Sequence, residues 1–135
     1  MSFSFFRLFS KKPSTDDGLT QSQREAIADL LHYCVYADNH VALAETAVIE
    51  DVVSNFTWDP RSSFGAFEAR SIAAAREAKE DKSAREEFLT SIRQRLDKPH
   101  VRSLALDLCK QIFVADGAQS DPESVVLARI NQLLG

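Results

Sequence analysis

Apolar residues recur at the spacing of an α-helix along most of this chain, and that pattern constrains the fold more than any other feature. The first stripe follows the i, i+3, i+4, i+7, i+8 spacing of a helix buried on one side, and it consists of Ile27, Leu30, Leu31, Cys34 and Val35. Similar stripes predict helices over about 43–57, 61–79, 83–96, 101–113 and from Pro122 onwards. No segment alternates with period two over the length of a strand. The sequence therefore predicts an all-α fold, a compact bundle of about six to seven helices.

Local signals predict where several helices begin and end. Thr20 and Gln23 match a capping box for the first helix, which is predicted to end near Ala37. Asp59 is predicted to cap the third helix, with Pro60 in its first turn. The SARE stretch at 83–86 matches a second capping box.

The composition predicts one domain preceded by an arm. A chain of 135 residues with 44% hydrophobic and 27% charged residues is typical of a single globular domain. Four of the nine phenylalanines lie in the first nine positions, and a linker-like SKKPSTDDG stretch follows them. We therefore expect an N-terminal arm over 1–19 and a helical domain over 20–135.

Charge and cysteine content bound the function. The net charge is −4 and the basic residues are interleaved with acidic ones, so a nucleic-acid partner is not expected. Cys34 and Cys109 lie on apolar helix faces, outside any metal-type spacing, and are predicted to be reduced core thiols. No apolar run approaches the length of a membrane span, and the first residues are too short and polar for a signal peptide. These features predict a cytoplasmic protein.

Two turns share one pattern. VYADNHVALAE over 35–45 and FVADGAQSDPE over 113–123 each place an aspartate after an amphipathic helix and a glutamate seven residues later. Asp38 and Asp116 lie 78 residues apart. The chain is therefore predicted to contain two pseudo-repeated helix-turn-helix units that pack against each other.

Two interpretations of the acidic residues in these turns stay open. In the first, the acids bond turn amides and the first turns of the following helices, where the helix dipole favours negative charge. In the second, carboxylate and carbonyl oxygens brought together by the turns bind a hard divalent cation, calcium or magnesium. The candidate ligands are Asp38, Glu45, Asp116, Asp121 and Glu123.

The paired A-D-[GN]-x5-E turns in an all-α chain of this size resemble the TerB-like family. That family includes the tellurite-resistance protein TerB and the N-terminal domain of the membrane-anchored DnaJ-type co-chaperone DjlA. The resemblance covers residues 20–135 and implies a compact helical bundle, divalent metal binding, and a role in resistance to tellurite or other envelope stress. The turn acids that it implies are Asp38, Glu45, Asp116 and Glu123. Asn39 and Gln119 stand where the family has a glycine and an apolar residue.

The N-terminal arm supports a second hypothesis. Its aromatic and basic side chains can lie at a membrane surface, with the rings in the headgroup boundary and the cations on anionic lipid. The alternative is that the phenylalanines fold back into a groove on the domain or on a neighbouring copy. The residues concerned are Phe3, Phe5, Phe6, Arg7, Phe9, Lys11 and Lys12.

No catalytic pattern is present in the sequence. His32, His40 and His100 do not lie three or four residues from another histidine or cysteine, and there is no G-x-S-x-G elbow or phosphate-binding glycine loop. We therefore expect a non-enzymatic binding or scaffolding module with a protein partner. The alternative is a peripheral adaptor recruited to the inner membrane through its arm.

Overall fold

The computed structural model describes residues 18–36, 43–54, 56–59, 61, 63–115 and 121–134, with the backbone alone for 43–46, 48, 113–115 and 121–124. These residues form six α-helices and no strand, which confirms the all-α prediction. In chain order the helices are α1 Gln21–Tyr36, α2 Leu43–Ser54, α3 Phe64–Glu80, α4 Lys82–Arg95, α5 Pro99–Ala115 and α6 Asp121–Leu134.

The first helix is the centre of the bundle. Helix α1 packs against α2, α3, α4 and α5, and every residue from Ala26 to Val35 is buried. The prediction of a helix buried on one side is therefore wrong for α1. The face that carries Asp29 and His32 is also covered, because α3 and α4 supply polar partners for those two side chains.

The two predicted helix-turn-helix units lie next to each other, and the central helix α1 belongs to the first of them. Helices α1 and α2 flank the first turn, α5 and α6 flank the second, and α5 contacts α1, α2 and α6. The other two helices, α3 and α4, pack on the remaining sides of α1. Ser71, Ala75 and Ala78 form a buried small-residue stripe on α3, which permits the close approach to α1.

The helix starts confirm one predicted cap and correct two. Thr20 and Gln23 form the predicted capping box, since the Thr20 amide donates to Gln23 Oε1 at 2.9 Å and the Gln23 amide donates to Thr20 Oγ1 at 3.1 Å. Asp59 is not a helix cap. Its Oδ1 accepts from the Arg61 amide at 2.9 Å, which closes a local turn before the helix. Helix α3 is capped instead by Ser63, whose Oγ accepts from the Ala66 amide.

The predicted capping box at 83–86 is also wrong. Asp81 caps α4, because its Oδ2 accepts from the Ala84 amide at 2.7 Å. Helix α3 ends at Glu80, so the single residue Asp81 both ends α3 and starts α4. Ser83 consequently lies within the first turn of α4 rather than before it.

Both cysteines are fully buried, as predicted for core thiols, and they form no disulfide. Among the described residues, no helix is long and apolar enough to cross a membrane.

Candidate functional site

The site residues predicted from sequence lie outside what the structure describes. Residues 1–17 and both acidic turns are not described, and the side chains of Glu45, Asp121 and Glu123 are not described either. Helix α1 ends at Tyr36 before the first turn, and α6 begins at Asp121 after the second. The metal and membrane hypotheses therefore stay predictions. Within the described residues, no group of three acidic, histidine or cysteine side chains is placed to hold a metal ion.

One surface depression in the described part of the chain is a groove between α1, α3 and α4. We call it the α1–α3–α4 groove, and its volume is about 440 Å³. Its lining is mixed, with two phenylalanine rings, two serine hydroxyls, one alanine and four charged groups. The lining residues are Glu25 and Asp29 of α1, Phe67, Arg70, Ser71 and Ala74 of α3, and Phe88, Ser91 and Arg95 of α4.

A chain of hydrogen bonds runs from this groove into the core. Arg95 Nη2 donates to Asp29 Oδ2 at 2.8 Å, and the Ser71 hydroxyl donates to Asp29 Oδ1 at 2.5 Å. Ser71 Oγ also lies 2.7 Å from His32 Nδ1. We call these four residues the buried polar network. It ties α1 to α3 and α4 at the point where all three helices meet.

The single proton of the Ser71 hydroxyl fixes the state of His32. Because that proton is donated to Asp29, Ser71 Oγ is the acceptor toward His32, and Nδ1 must carry its proton. Burial lowers the pKa of His32 from 6.5 to about 4, so the ring is neutral at pH 7. Nε2 is then the unprotonated nitrogen.

This arrangement holds three helices together and is unsuited to nucleophilic catalysis. Ser71 is 3% exposed and its hydroxyl donates to a carboxylate, whereas a nucleophilic serine donates to a base and faces the substrate. His32 also lines a second cavity of about 40 Å³, together with Val35, Ile49 and Ile72. That volume suits about one water molecule.

Asp29 and Arg95, the outer residues of the network, can be contacted by a molecule in the groove. The Asp29 side chain is 11% exposed and the Arg95 side chain is 24% exposed, so this ion pair lies at the boundary between core and solvent. Phe67 is buried and Phe88 is partly buried, and Arg70 is exposed. A ligand in the groove would therefore meet the side chains of Phe67 and Phe88 and the Asp29–Arg95 ion pair.

An acidic depression on α4 adjoins the groove. It is lined by Glu86, Glu87, Thr90, Ser91 and Gln94, and Ser91 also lines the groove. Glu86 and Glu87 are both exposed. The α4 wall of the groove thus continues into a negatively charged surface.

An aromatic corner borders the other wall of the groove. The Trp58 ring lies 5.0 Å from the Phe64 ring and 5.3 Å from the Phe67 ring, measured between centroids. The corner is joined to α1 by Gln21, whose Oε1 accepts from the Asp59 amide at 3.0 Å. These contacts hold Phe67 in place, so the groove is preformed on this side.

The sequence interpretation did not identify the buried polar network. Asp29 and His32 are three residues apart on α1, which places them on one side of a helix that is otherwise apolar. That polar pair inside an apolar helix was the available signal. Its partners Ser71 and Arg95 lie 42 and 66 residues from Asp29, and no local pattern links them.

No protein-family model, curated protein or solved structure matches this chain. The TerB-like resemblance accordingly stays a prediction that rests on the two turns.

Proposed function

We propose that this chain is a non-catalytic binding module of the TerB-like kind, and that the α1–α3–α4 groove holds a protein segment carrying aromatic and basic side chains. The observation that carries the proposal is the composition of the groove. The partly exposed Phe88 and the Asp29–Arg95 ion pair lie beside an acidic surface, where three helices meet.

Aromatic side chains of the partner supply most of the affinity in this proposal. Burying one phenylalanine ring between Phe67 and Phe88 contributes about 1.5–3 kcal/mol. Basic side chains of the partner pair with Glu25, Glu86 and Glu87. Such exposed pairs each contribute about 0–1 kcal/mol, so they select the partner and its orientation more than they strengthen binding.

Fluorescence anisotropy of a labelled 12-residue peptide rich in phenylalanine and lysine tests this proposal. The variant Ala74→Trp fills the groove, since Ala74 lines it on α3. We expect it to weaken peptide binding by at least about tenfold, the equivalent of losing one buried ring. A matched peptide with glutamate in place of lysine should bind more weakly than the lysine peptide.

Ala69→Trp is the matched control for the groove variant. Ala69 is an exposed residue of α3 that does not line the groove, so the same substitution there adds the same side chain elsewhere. Circular dichroism establishes that both variants retain their helices. Equal peptide affinity in the two tryptophan variants would show that the groove is not the binding surface.

A further inference from the structure

The N-terminal arm of this chain has the composition that the proposed groove requires. Residues 1–12 contain phenylalanines at 3, 5, 6 and 9, three basic residues and no acidic residue. We infer that this arm is the resident occupant of the α1–α3–α4 groove in its own chain. The inference rests on the proposed function, because it names the segment that the groove holds.

Charge complementarity favours the arm over an acidic or neutral segment. The groove and the adjoining depression are lined by the carboxylates of Glu25, Asp29, Glu86 and Glu87 and by two guanidinium groups. Arg95 is paired with Asp29, which leaves three carboxylates and Arg70 on this surface. The surplus is negative, whereas Arg7, Lys11 and Lys12 give the arm a positive charge.

The point where the chain enters the bundle makes this contact reachable. Glu25 lies one helical turn after Gln21, the first residue of α1, so the groove begins about 6 Å from the helix start. The nine residue-to-residue steps from Phe9 to Gly18 can span up to about 30 Å when the chain is extended. The arm therefore has enough length to reach the groove of its own chain.

The backbone before α1 is bent. Gly18 has a φ of 78°, in the left-handed region that glycine adopts without a Cβ clash. Leu19, the next residue, packs against the core and anchors the chain after this bend. A change of direction at this position is what a returning arm needs.

The test is paramagnetic broadening in the full-length chain. A nitroxide is attached at Ser10→Cys, next to Phe9, while Cys34 and Cys109 are both 0% exposed and so are protected from labelling. We expect loss of the amide signals of Ala74 and Ser91 in the groove, with the Ala128 signal on α6 retained. The same label on a chain that also carries Arg7→Glu, Lys11→Glu and Lys12→Glu should restore the groove signals.

Two outcomes would overturn the inference. Unbroadened groove signals mean that the arm does not occupy the groove. Broadening that appears only when the spin-labelled chain is mixed with an unlabelled, isotope-enriched chain means that the occupant is a second copy.

If the groove signals stay sharp while the phenylalanine and lysine peptide still binds and Ala74→Trp still prevents that binding, this inference fails and the proposed function stands. If Ala74→Trp has no effect on peptide binding by the chain with the three glutamate substitutions, whose arm does not compete for the groove, the proposed function itself fails.

Discussion

Replacing His32 by asparagine should remove one component of the acid sensitivity of this fold. The folded pKa of His32, about 4, lies below the ordinary value of 6.5 because the ring is buried. Between these two values the unfolded chain binds a proton that the folded chain does not bind. The free energy of unfolding therefore falls as the pH decreases through 6.5. The stability that depends on a neutral His32 is almost fully lost near pH 4.

The pKa difference sets the size of the effect. At about 1.4 kcal/mol per pKa unit the whole difference corresponds to about 3 kcal/mol, of which about 2 kcal/mol falls between pH 7 and pH 4.5. Asparagine is a suitable replacement because its amide nitrogen takes the approximate place of Nδ1 and can donate to Ser71 without titrating.

Urea unfolding at pH 7 and pH 4.5 measures this prediction. His32→Asn should be less stable than the wild type at pH 7 because of lost packing, but it should lose about 2 kcal/mol less on acidification. Carboxylate titration is common to both proteins and cancels in the comparison. An identical loss in the two proteins would refute the assignment of a neutral His32 in the folded chain.

Three further predictions follow from the caps, the network and the turns. Ser71→Ala leaves Asp29 Oδ1 and His32 Nδ1 without their shared partner, and chemical denaturation should show a loss of about 1–3 kcal/mol. Asp81→Ala should cost about 1 kcal/mol by the same assay, whereas Ser83→Ala should change stability by less than about 0.5 kcal/mol. If the acidic turns bind calcium, a titration should shift the amide signals of both turns, and unchanged signals in millimolar calcium would leave only the capping interpretation.

Patterns among residues that are close together in the sequence predicted the all-α architecture of this chain. The capping box at Thr20 depends on residues three positions apart, and the apolar stripes that define six helices repeat within a few turns. The wrong caps arose where neighbouring candidates compete. Asp59 and Ser63 both precede α3, and Asp81 and Ser83 both lie near the start of α4, so the choice depends on where the preceding segment ends.

Features that depend on contacts between distant residues were not predictable from local patterns. The apolar stripe of α1 indicated one buried face, but four neighbouring helices cover the whole of its central part. Asp29 can be buried there because Ser71 and Arg95 neutralise and bond its carboxylate from two other helices. The groove has the same origin, since its walls come from three helices and no single segment of sequence contains it.

The most direct test of the groove as a binding surface is an amide chemical-shift map during titration with the phenylalanine and lysine peptide. The protein is the full-length chain carrying Arg7→Glu, Lys11→Glu and Lys12→Glu, so that its own arm does not compete for the groove. We expect the largest shifts on residues of the three groove walls, around Phe67, Ser71 and Phe88, and we expect Ala74→Trp to abolish them. Shifts centred on α6, or shifts that persist unchanged in Ala74→Trp, would contradict the proposed function.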